Sequence, residues 1–271
     1  MQQPIAVILA RGLGTRMRRA DAGAALADDQ ARVADSGVKA MIPIGRPFLD
    51  YVLSGLADAG LAEVCLVIGP EHQAVREYYC ETARPRRVQI SFAVQERPLG
   101  TADAVAAAGS AVGERDFLVL NSDNYYPVEA YRALSGLDGP GLVAFERDAM
   151  IRESNVPADR VGQFALVRIG AEDSMVDIIE KPDAAALASF GDDVYLSMNC
   201  WRFDRRVLEA CGRVPLSGRG ERELTDAVRL SLREGGTRFR VVRMRAGVLD
   251  LSSRGDISSV AERLSGVTVD L

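Results

Sequence analysis

Two glycines, a threonine and two arginines follow directly on the first apolar run of the sequence, in the stretch LARGLGTRM at 9–17. Because Gly12 and Gly14 carry no Cβ, the backbone can turn tightly there and point successive N–H groups at phosphate oxygens. Thr15 adds a hydroxyl donor, and Arg16 adds a planar guanidinium that suits phosphate. The stretch therefore favours a polyphosphate site. It matches neither the P-loop nor the dinucleotide-binding pattern, and a glycine turn after a strand is also common without a ligand.

Two polar residues stand where apolar runs end. Asp123 follows FLVLN, and a carboxylate at the carboxyl end of a strand can offer Mg²⁺ a hard oxygen ligand, or can simply cap a turn. Gln95 ends VQISFAVQ, and its amide can offer a donor and an acceptor to the edge of a base, or can simply be solvated. Gly100, shortly after it, would let a base lie close to the backbone.

The histidine and cysteine content argues against several chemistries. The single histidine, His72, is needed for any Ser-His-Asp or Cys-His mechanism, but it stands at a predicted helix start, where an exposed or capping role is expected. The four cysteines form no C-x-x-C pair, which argues against zinc and against a disulfide framework. We therefore expect a reducing, cytoplasmic setting, with any acid–base chemistry placed on other residues.

Composition and charge set broader limits. The 271 residues are 48% hydrophobic and 26% charged, as in an ordinary globular protein. The net charge of −5 argues against general electrostatic binding of nucleic acid. The apolar runs are far shorter than the roughly 18 residues that a membrane span needs. Arg11 interrupts the only apolar run that could belong to a signal peptide.

Strand and helix patterns alternate in the first half of the chain. Strands are predicted at 5–10, 63–69, 88–95, 117–123 and 141–146, with helices at 47–59 and 101–111. The second half predicts strands near 164–169, 175–179, 196–203 and 239–242 and helices near 183–190 and 224–233. This order indicates an α/β fold with a Rossmann-like, mixed but mostly parallel sheet flanked by helices, and ligands beyond the carboxyl ends of the strands. We expect a single domain over 1–271.

The stretch 17–38 is rich in alanine and mixed charge, and it places Leu26 and Val33 seven residues apart. This pattern is typical of a surface helix or a flap. A solvated connection and a mobile cover over the phosphate site both stay open.

The quoted stretch at 9–17, followed by Lys39 in VKAMIPIGRPFLDY, resembles the signature of the sugar-1-phosphate nucleotidyltransferases, L-A-G-G-x-G-T-R and then K-x-x-x-P. Further matches follow in the family's order: VQERPLGTADAV at 94–105, LNSDNYY at 120–126, EKP at 180–182, MNCWRF at 198–203, ELTDAV at 223–228 and Asp250 in VLDLSS. Together they span nearly the whole chain. The resemblance implies a GT-A-like nucleotidyltransferase fold without a β-helix extension, with nucleotide binding in about 1–145 and sugar-phosphate binding in about 146–271.

The resemblance also implies a reaction, in which a sugar-1-phosphate oxygen attacks the α-phosphorus of a nucleoside triphosphate and expels pyrophosphate. Such a displacement needs alignment, charge neutralisation and a metal, but no protein nucleophile. The implied Mg²⁺ ligands are Asp123 and Asp250, and the implied catalytic cations are Arg16 and Lys39. The implied nucleotide-binding residues are Leu9, Ala10, Arg11, Gly12, Gly14, Thr15, Gln95, Gly100 and Thr101. The implied sugar-phosphate ligands are Glu180, Lys181 and Asn199.

Several positions depart from the family's pattern. The 17–38 stretch lengthens the interval between Arg16 and Lys39. Arg11 replaces a glycine or alanine, and we expect its side chain either to turn toward the phosphates beside Arg16 or to crowd the nucleotide. Ala165 replaces a glycine, and LSSRGD at 251–256 replaces the residues usual after the metal aspartate. Trp201 can stack on a sugar or belong to the core. We therefore expect an altered acceptor pocket.

The sequence thus predicts a Mg²⁺-dependent enzyme that joins a nucleoside triphosphate to a sugar-1-phosphate or a similar phosphorylated alcohol. Gln95 is typical of the uridylyl- and thymidylyltransferases of this family, so UTP or dTTP is favoured. Two alternatives stay open: a catalytically silent, nucleotide-binding regulatory subunit, and a nucleotide-sugar-dependent glycosyltransferase, although Ser122-Asp123-Asn124 stands where the latter would carry D-x-D. The expected partners are these two substrates. We expect the protein to bind neither nucleic acid nor a membrane, and the sequence leaves open whether it forms a homo-oligomer.

Overall fold

A computed structural model of the chain describes residues 3–21, 23–191, 193–234 and 237–271. The strands are β1 (Ile5–Leu9), β2 (Pro43–Ile44), β3 (Arg46–Pro47), β4 (Glu63–Ile68), β5 (Gln89–Val94), β6 (Phe117–Asn121), β7 (Asn124–Tyr125), β8 (Gly141–Glu146), β9 (Ala165–Ile169), β10 (Met175–Ile179), β11 (Tyr195–Phe203), β12 (Arg240–Met244) and β13 (Leu249–Asp250). The α-helices are α1 (Thr15–Arg18), α2 (Asp28–Ser36), α3 (Phe48–Asp58), α4 (Gln73–Glu77), α5 (Thr101–Ala107), α6 (Gly109–Val112), α7 (Val128–Ser135), α8 (Arg147–Glu153), α9 (Ala184–Ala188), α10 (Arg205–Arg213), α11 (Leu224–Arg233) and α12 (Asp256–Leu264). Short 3₁₀ segments cover Lys39–Met41, Ala158–Gln163 and Ala171–Asp173, and a π-helical turn covers Tyr78–Ala83.

The described strands build a nine-stranded central sheet, with β1 in its interior. β1 pairs in parallel with β4 and β6, and β5 extends the sheet in parallel beyond β4. β11 then pairs antiparallel with β6, β8 and β9, and β10 pairs antiparallel with β9. The residues of β1 are buried throughout, because helices cover both faces of a sheet of this kind. The predicted α/β architecture with a mixed sheet is confirmed.

The elements that the sequence predicted agree with the structure to within about two residues at each end, the usual uncertainty of element boundaries. The helices α7, α8, α10 and α12 were not predicted. The helix predicted at 101–111 is divided at Ala108 into α5 and α6. The two-residue strands β2, β3, β7 and β13 were not predicted, because two residues cannot show an alternating pattern.

The stretch 17–38 contains a surface helix, α2, that is tied to the glycine-rich loop. Ala34 is fully buried, and Leu26 and Val33 pack against the core. Arg18 donates two hydrogen bonds to the carbonyl oxygen of Ser36, at 3.2 and 2.7 Å. The predicted surface helix is therefore confirmed, and these contacts contradict a merely solvated connection.

Trp201 belongs to the core. Its side chain is fully buried, lies stacked on Phe203 and meets Phe239 edge to face. Of the two roles left open by the sequence, core packing is confirmed. None of the helices in the described ranges has the length and hydrophobicity that a membrane crossing requires.

Candidate active site

A cavity of about 410 Å³ lies at the carboxyl ends of β1, β5 and β6. These strands point in the same direction through their pairing with β1 and β4, so their carboxyl ends meet at one edge of the sheet. Most of the predicted site residues line this cavity: Leu9, Ala10, Arg11, Gly12, Gly14, Thr15, Arg16, Lys39, Gln95, Gly100, Thr101, Asp123 and Asn199. The sequence-distant motifs therefore converge on one space of a size suited to a small-molecule ligand.

Close backbone packing places Lys39 in this cavity. Gly14 has a φ of 60°, and a Cβ on it would lie 2.3 Å from the carbonyl oxygen of Gly37, which ends α2. The glycine-rich loop therefore rests directly on the end of the inserted helix. Lys39 follows two residues later, and its ammonium forms an ion pair with Asp123. α2 thus lies within the longer interval between Arg16 and Lys39, and Lys39 still lines the cavity.

Asp250 lies directly behind Asp123. β13 pairs antiparallel with β7, and the N–H of Leu251 donates to the carbonyl oxygen of Asp123 at 2.8 Å. The carboxylate of Asp250 is almost fully buried and accepts a hydrogen bond from the Asn124 amide at 3.0 Å. Burial raises the pKa of Asp250 above its ordinary value, and the neighbouring charge of Asp123 raises it further.

The donor set around these two aspartates fits a hard divalent cation. Mg²⁺ is commonly held by one or two carboxylates together with substrate phosphates, rather than by a full cage of protein ligands. Asp123 and Asp250 would supply such carboxylates beside the cavity. Among the described residues, no three or more of His, Cys, Asp and Glu are grouped closely enough to hold a metal ion. Any cation here would therefore need further oxygen ligands from a substrate or from water.

The 3₁₀ segment Ala158–Gln163 contacts two of the predicted site residues, and sequence reasoning missed it. Gln163 accepts a hydrogen bond from the guanidinium of Arg16 at 3.0 Å. Arg160 forms ion pairs with Asp250 at 2.5 Å and with Asp256 at 2.6 Å. A single arginine and a single glutamine in a polar stretch carry no spacing signal, so only the fold reveals these contacts.

Gln95 is held in one orientation by its neighbours. Its side-chain nitrogen donates to the carbonyl oxygen of Gly100 at 3.0 Å and to the carboxylate of Asp103 at 2.9 Å. Because both partners are acceptors, the network assigns the nitrogen to this side and leaves the amide oxygen as the group that can accept a bond. Arg222 holds Asp103 in turn, at 3.4 Å. Asp103 stands inside the GTADAV motif, but its contact with Gln95 was not predicted.

Arg11 does not turn toward Arg16. Its guanidinium donates to both carboxylate oxygens of Glu71, at 3.1 and 3.2 Å, and to the backbone carbonyl of Gln95. The side chain is 8% exposed. The expected turn of Arg11 toward the phosphates beside Arg16 is therefore not seen. Arg11 instead links the glycine-rich loop to the ends of β4 and β5.

Of the three predicted sugar-phosphate ligands, only Asn199 lines the cavity. Asn199 has a φ of 54° at an irregularity in β11, and its amide donates to Asn121 at 3.4 Å inside the cavity. Glu180 and Lys181 follow β10 and lie outside the residues that line the cavity. Burial raises the pKa of Glu180, and the charge of Glu223 raises it further. A sugar-binding role for these two residues stays a prediction.

His72 is buried rather than exposed. Its Nδ1 accepts a hydrogen bond from the N–H of Gly69 at 3.4 Å, and it precedes α4 without a capping bond from its side chain. Burial lowers its pKa. The expected exposure is therefore wrong. His72 does stand at the N-terminal cap position of α4, but its side chain makes no capping bond, because the imidazole folds back against the loop that precedes it.

Comparison with known proteins agrees with this geometry. The family model described as nucleotidyl transferase matches residues 5–260. The chain is 27% identical over 238 residues to the low-salt glycan biosynthesis nucleotidyltransferase Agl11 of Haloferax volcanii. That alignment covers 84% of this chain and 57% of the relative. It is 25% identical over 268 residues to the UTP–glucose-1-phosphate uridylyltransferase AglF of the same organism, with 97% of each chain covered. It is also 27% identical over 234 residues to the bifunctional protein GlmU of Methanococcus maripaludis, with 85% of this chain and 47% of the relative covered.

The chain thus spans about half the length of several of the relatives it matches. Among solved structures, a UDP-glucose pyrophosphorylase complexed with UDP-glucose superposes with a TM-score of 0.75 at 15% identity, over 97% of this chain and 99% of that one. A UTP-bound UGPase from Acinetobacter baumannii gives a TM-score of 0.72 at 19% identity, over 99% and 96%. These likenesses show a shared fold. The glycine-rich loop, Arg16, Lys39 and Asp123 are gathered in one cavity, and the family model covers residues 5–260, so the chain belongs to the nucleotidyl transferase family.

Proposed function

We propose that this protein transfers the nucleotidyl group of a nucleoside triphosphate to a sugar-1-phosphate, or to a similar phosphorylated alcohol, and releases pyrophosphate. The observation that carries the proposal is the convergence of the glycine-rich loop, Arg16, Lys39, Asp123 and Gln95 on one cavity. The relatives support it, since AglF is named a UTP–glucose-1-phosphate uridylyltransferase and another relative, from Streptomyces griseus, a glucose-1-phosphate thymidylyltransferase.

Each part of the cavity has a task in such a reaction. The N–H groups of the glycine-rich loop bind phosphate oxygens, and Arg16 and Lys39 neutralise the charge that develops on the departing pyrophosphate. A Mg²⁺ held by Asp123 and Asp250 would supply further charge neutralisation at the phosphates. No protein nucleophile is required, because the phosphate oxygen of the second substrate attacks directly. The chain's contribution is to align the two substrates and to exclude water from the reacting phosphorus.

The orientation of Gln95 favours UTP or dTTP. Its amide nitrogen is occupied by Gly100 and Asp103, which leaves an acceptor oxygen for the base. Uracil and thymine carry an N3–H donor, whereas cytosine has a lone pair at N3 that an acceptor repels. Where the amide oxygen meets N3 of the base, it therefore favours uracil or thymine over cytosine.

The proposal is tested by pyrophosphate release from each nucleoside triphosphate with Mg²⁺ and a panel of sugar-1-phosphates. We expect the best pair to include UTP or dTTP. We expect Lys39→Met and Asp123→Asn each to reduce kcat by at least about 10²-fold, the usual effect of removing one preorganised charge-stabilising group. A matched control is Arg115→Gln, which removes an exposed ion pair with Glu63. Full turnover by Asp123→Asn would show that the metal assignment is wrong.

A further inference from the structure

Arg160 occupies an oxygen of Asp250 that a divalent cation would need. The guanidinium meets Oδ2 of Asp250 at 2.5 Å, while Oδ1 accepts from the amide of Asn124 at 3.0 Å. Both oxygens of this carboxylate therefore already have a donor. One carboxylate oxygen of Asp123, Oδ2, accepts from the ammonium of Lys39.

The backbone of Asp250 is also fixed in place. The backbone N–H of Asp250 donates to the side-chain oxygen of Asn155, and the side-chain nitrogen of Asn155 donates back to the carbonyl oxygen of Asp250, both at 2.8 Å. Asp250 is 4% exposed and belongs to β13, which is paired with β7. The backbone of Asp250 therefore stays next to Arg160, and a cation that binds Asp250 meets the guanidinium there.

Arg160 has a second anchor that is independent of Asp250. Its other terminal nitrogen meets Oδ1 of Asp256 at 2.6 Å. Oδ2 of Asp256 is itself fixed by the backbone N–H groups of Ser252 and Ser253, at 3.1 and 2.7 Å. If the bond to Asp250 opened, Arg160 would therefore keep a partner and would not be left as an unpaired, partly buried charge.

We propose that Arg160 is a displaceable internal cation that holds Asp250 when no metal is bound and keeps only its bond to Asp256 when a divalent cation binds. This inference rests on the proposed function, which assigns Asp250 to the metal. A guanidinium and a divalent cation that bind the same carboxylate repel each other, so the two compete for Asp250. Arg160 is thus a positioning residue that sets metal affinity and couples the cation to the segment Ala158–Gln163.

The test measures metal binding rather than turnover. Mn²⁺ is titrated into the wild-type protein and into Arg160→Gln, and free Mn²⁺ is followed by electron paramagnetic resonance. We expect Arg160→Gln to bind Mn²⁺ at least about fivefold more tightly, the lower end of typical coupling between two ligands. We also expect it to melt at a lower temperature than wild type in EDTA and to gain more thermal stability from Mn²⁺. Equal or weaker Mn²⁺ binding by a folded Arg160→Gln would overturn the proposal.

Two controls separate this inference from the proposed function. Arg229→Gln removes another arginine–aspartate pair, with Asp177 at 3.0 Å, and should leave the Mn²⁺ affinity unchanged. Asp250→Asn should abolish the tight site in both the wild-type and the Arg160→Gln background. If Asp250→Asn left Mn²⁺ binding intact, the metal assignment itself would be wrong. If Asp250→Asn abolished binding but Arg160→Gln did not strengthen it, only the inference about Arg160 would fail.

A measurement on the wild-type protein keeps the proposal testable should Arg160→Gln not fold. Hydrogen–deuterium exchange of the peptide that covers 158–163 is compared with and without saturating Mn²⁺. Release of Arg160 from Asp250 removes one of the bonds that hold this segment, so we expect faster exchange there with the metal. Unchanged or slower exchange at saturation would overturn the proposal.

Discussion

At the scale of single residues, the selectivity of the cavity depends on a pair of side chains rather than on Gln95 alone. A glutamine amide presents either its oxygen or its nitrogen to a ligand, and its orientation depends on which of the two atoms is bound by the protein. Asp103 and the carbonyl oxygen of Gly100 make that choice here by accepting from the amide nitrogen, at 2.9 and 3.0 Å. Arg222 holds Asp103 from the opposite direction.

Asp103→Ala should therefore relax the selection of the base. Without the carboxylate, only the bond to the carbonyl oxygen of Gly100 holds the amide nitrogen. The amide of Gln95 then turns over more readily and can offer its nitrogen to the N3 of cytosine. One hydrogen bond is worth about 1 kcal/mol, so we expect the ratio of kcat/KM for UTP over CTP to fall by roughly fivefold to tenfold. The control is Glu96→Ala, which removes an exposed carboxylate next to Gln95 in the chain. An unchanged ratio in Asp103→Ala would mean that Gln95 is oriented by other contacts.

His72 gives the protein a dependence on pH. Burial lowers the pKa of His72 below its ordinary value of 6.5, and the charge of Arg11 lowers it further. The unfolded chain therefore binds this proton more readily than the folded one. Stability from the neutral imidazole is present above about pH 6.5 and is lost as the pH falls through the folded pKa. In urea titrations from pH 7.5 to 5, we expect wild type to lose more stability than His72→Gln. Parallel losses in the two proteins would contradict this account.

At the scale of elements, the inserted helix α2 and the glycine-rich loop form one unit. Gly14 and Gly37 approach each other so closely that a Cβ on Gly14 would lie 2.3 Å from a backbone oxygen. Arg254 ties the same region to the far end of the chain, since it donates to the carbonyl oxygen of Met17 at 2.9 Å and pairs with Asp35. The insertion therefore supports the loop that would hold the triphosphate.

Gly14→Ala should disturb this unit, whereas Gly12→Ala is a matched control. At Gly14 a side chain meets both a positive φ and the backbone of Gly37, while a Cβ on Gly12 has no protein atom within 4 Å in the described structure. We expect Gly14→Ala to lower the free energy of unfolding by about 1–3 kcal/mol and to raise the KM for the nucleotide. Thermal melts of the free proteins make the comparison. Equal melting temperatures for the two variants would show that the loop does not depend on this contact.

The sequence was informative where a pattern extends over several residues, and uninformative where contacts join distant single residues. Strand ends placed Gln95 and Asp123 at one edge of the sheet, because buried runs and their ends are visible in the sequence. The resemblance added Lys39 and Asp250, which no periodicity could have paired with Arg16 or Asp123. The turn of Arg11 toward Glu71 and the contact of Arg160 with Asp250 could not be predicted, since each depends on where an irregular loop passes in space.

At the scale of the whole molecule, both halves of the chain share one sheet. β11, from the second half, pairs directly with β6 from the first, at Trp201–Phe203 against Phe117–Val119. The single tryptophan, Trp201, therefore lies fully buried close to the join. Unfolding either half would expose apolar surface of the other, so we expect the chain to unfold as one cooperative unit.

Trp201 fluorescence and far-ultraviolet circular dichroism should thus report the same urea transition. The fluorescence follows the environment of β11, whereas the dichroism follows secondary structure over the whole chain. We expect coincident midpoints for the two signals. Two separated transitions would show that the nucleotide-binding and sugar-phosphate-binding parts fold independently and would contradict the single-domain prediction.

The central claim is that the cavity transfers a nucleotidyl group. The most direct measurement follows UTP labelled at its α-phosphorus in the presence of Mg²⁺ and a panel of sugar-1-phosphates. The account predicts that the label passes into a nucleotide-sugar product, with one pyrophosphate released for each labelled product formed. Tight binding of UTP without any labelled product from any acceptor would contradict it and would favour a silent, nucleotide-binding regulatory role.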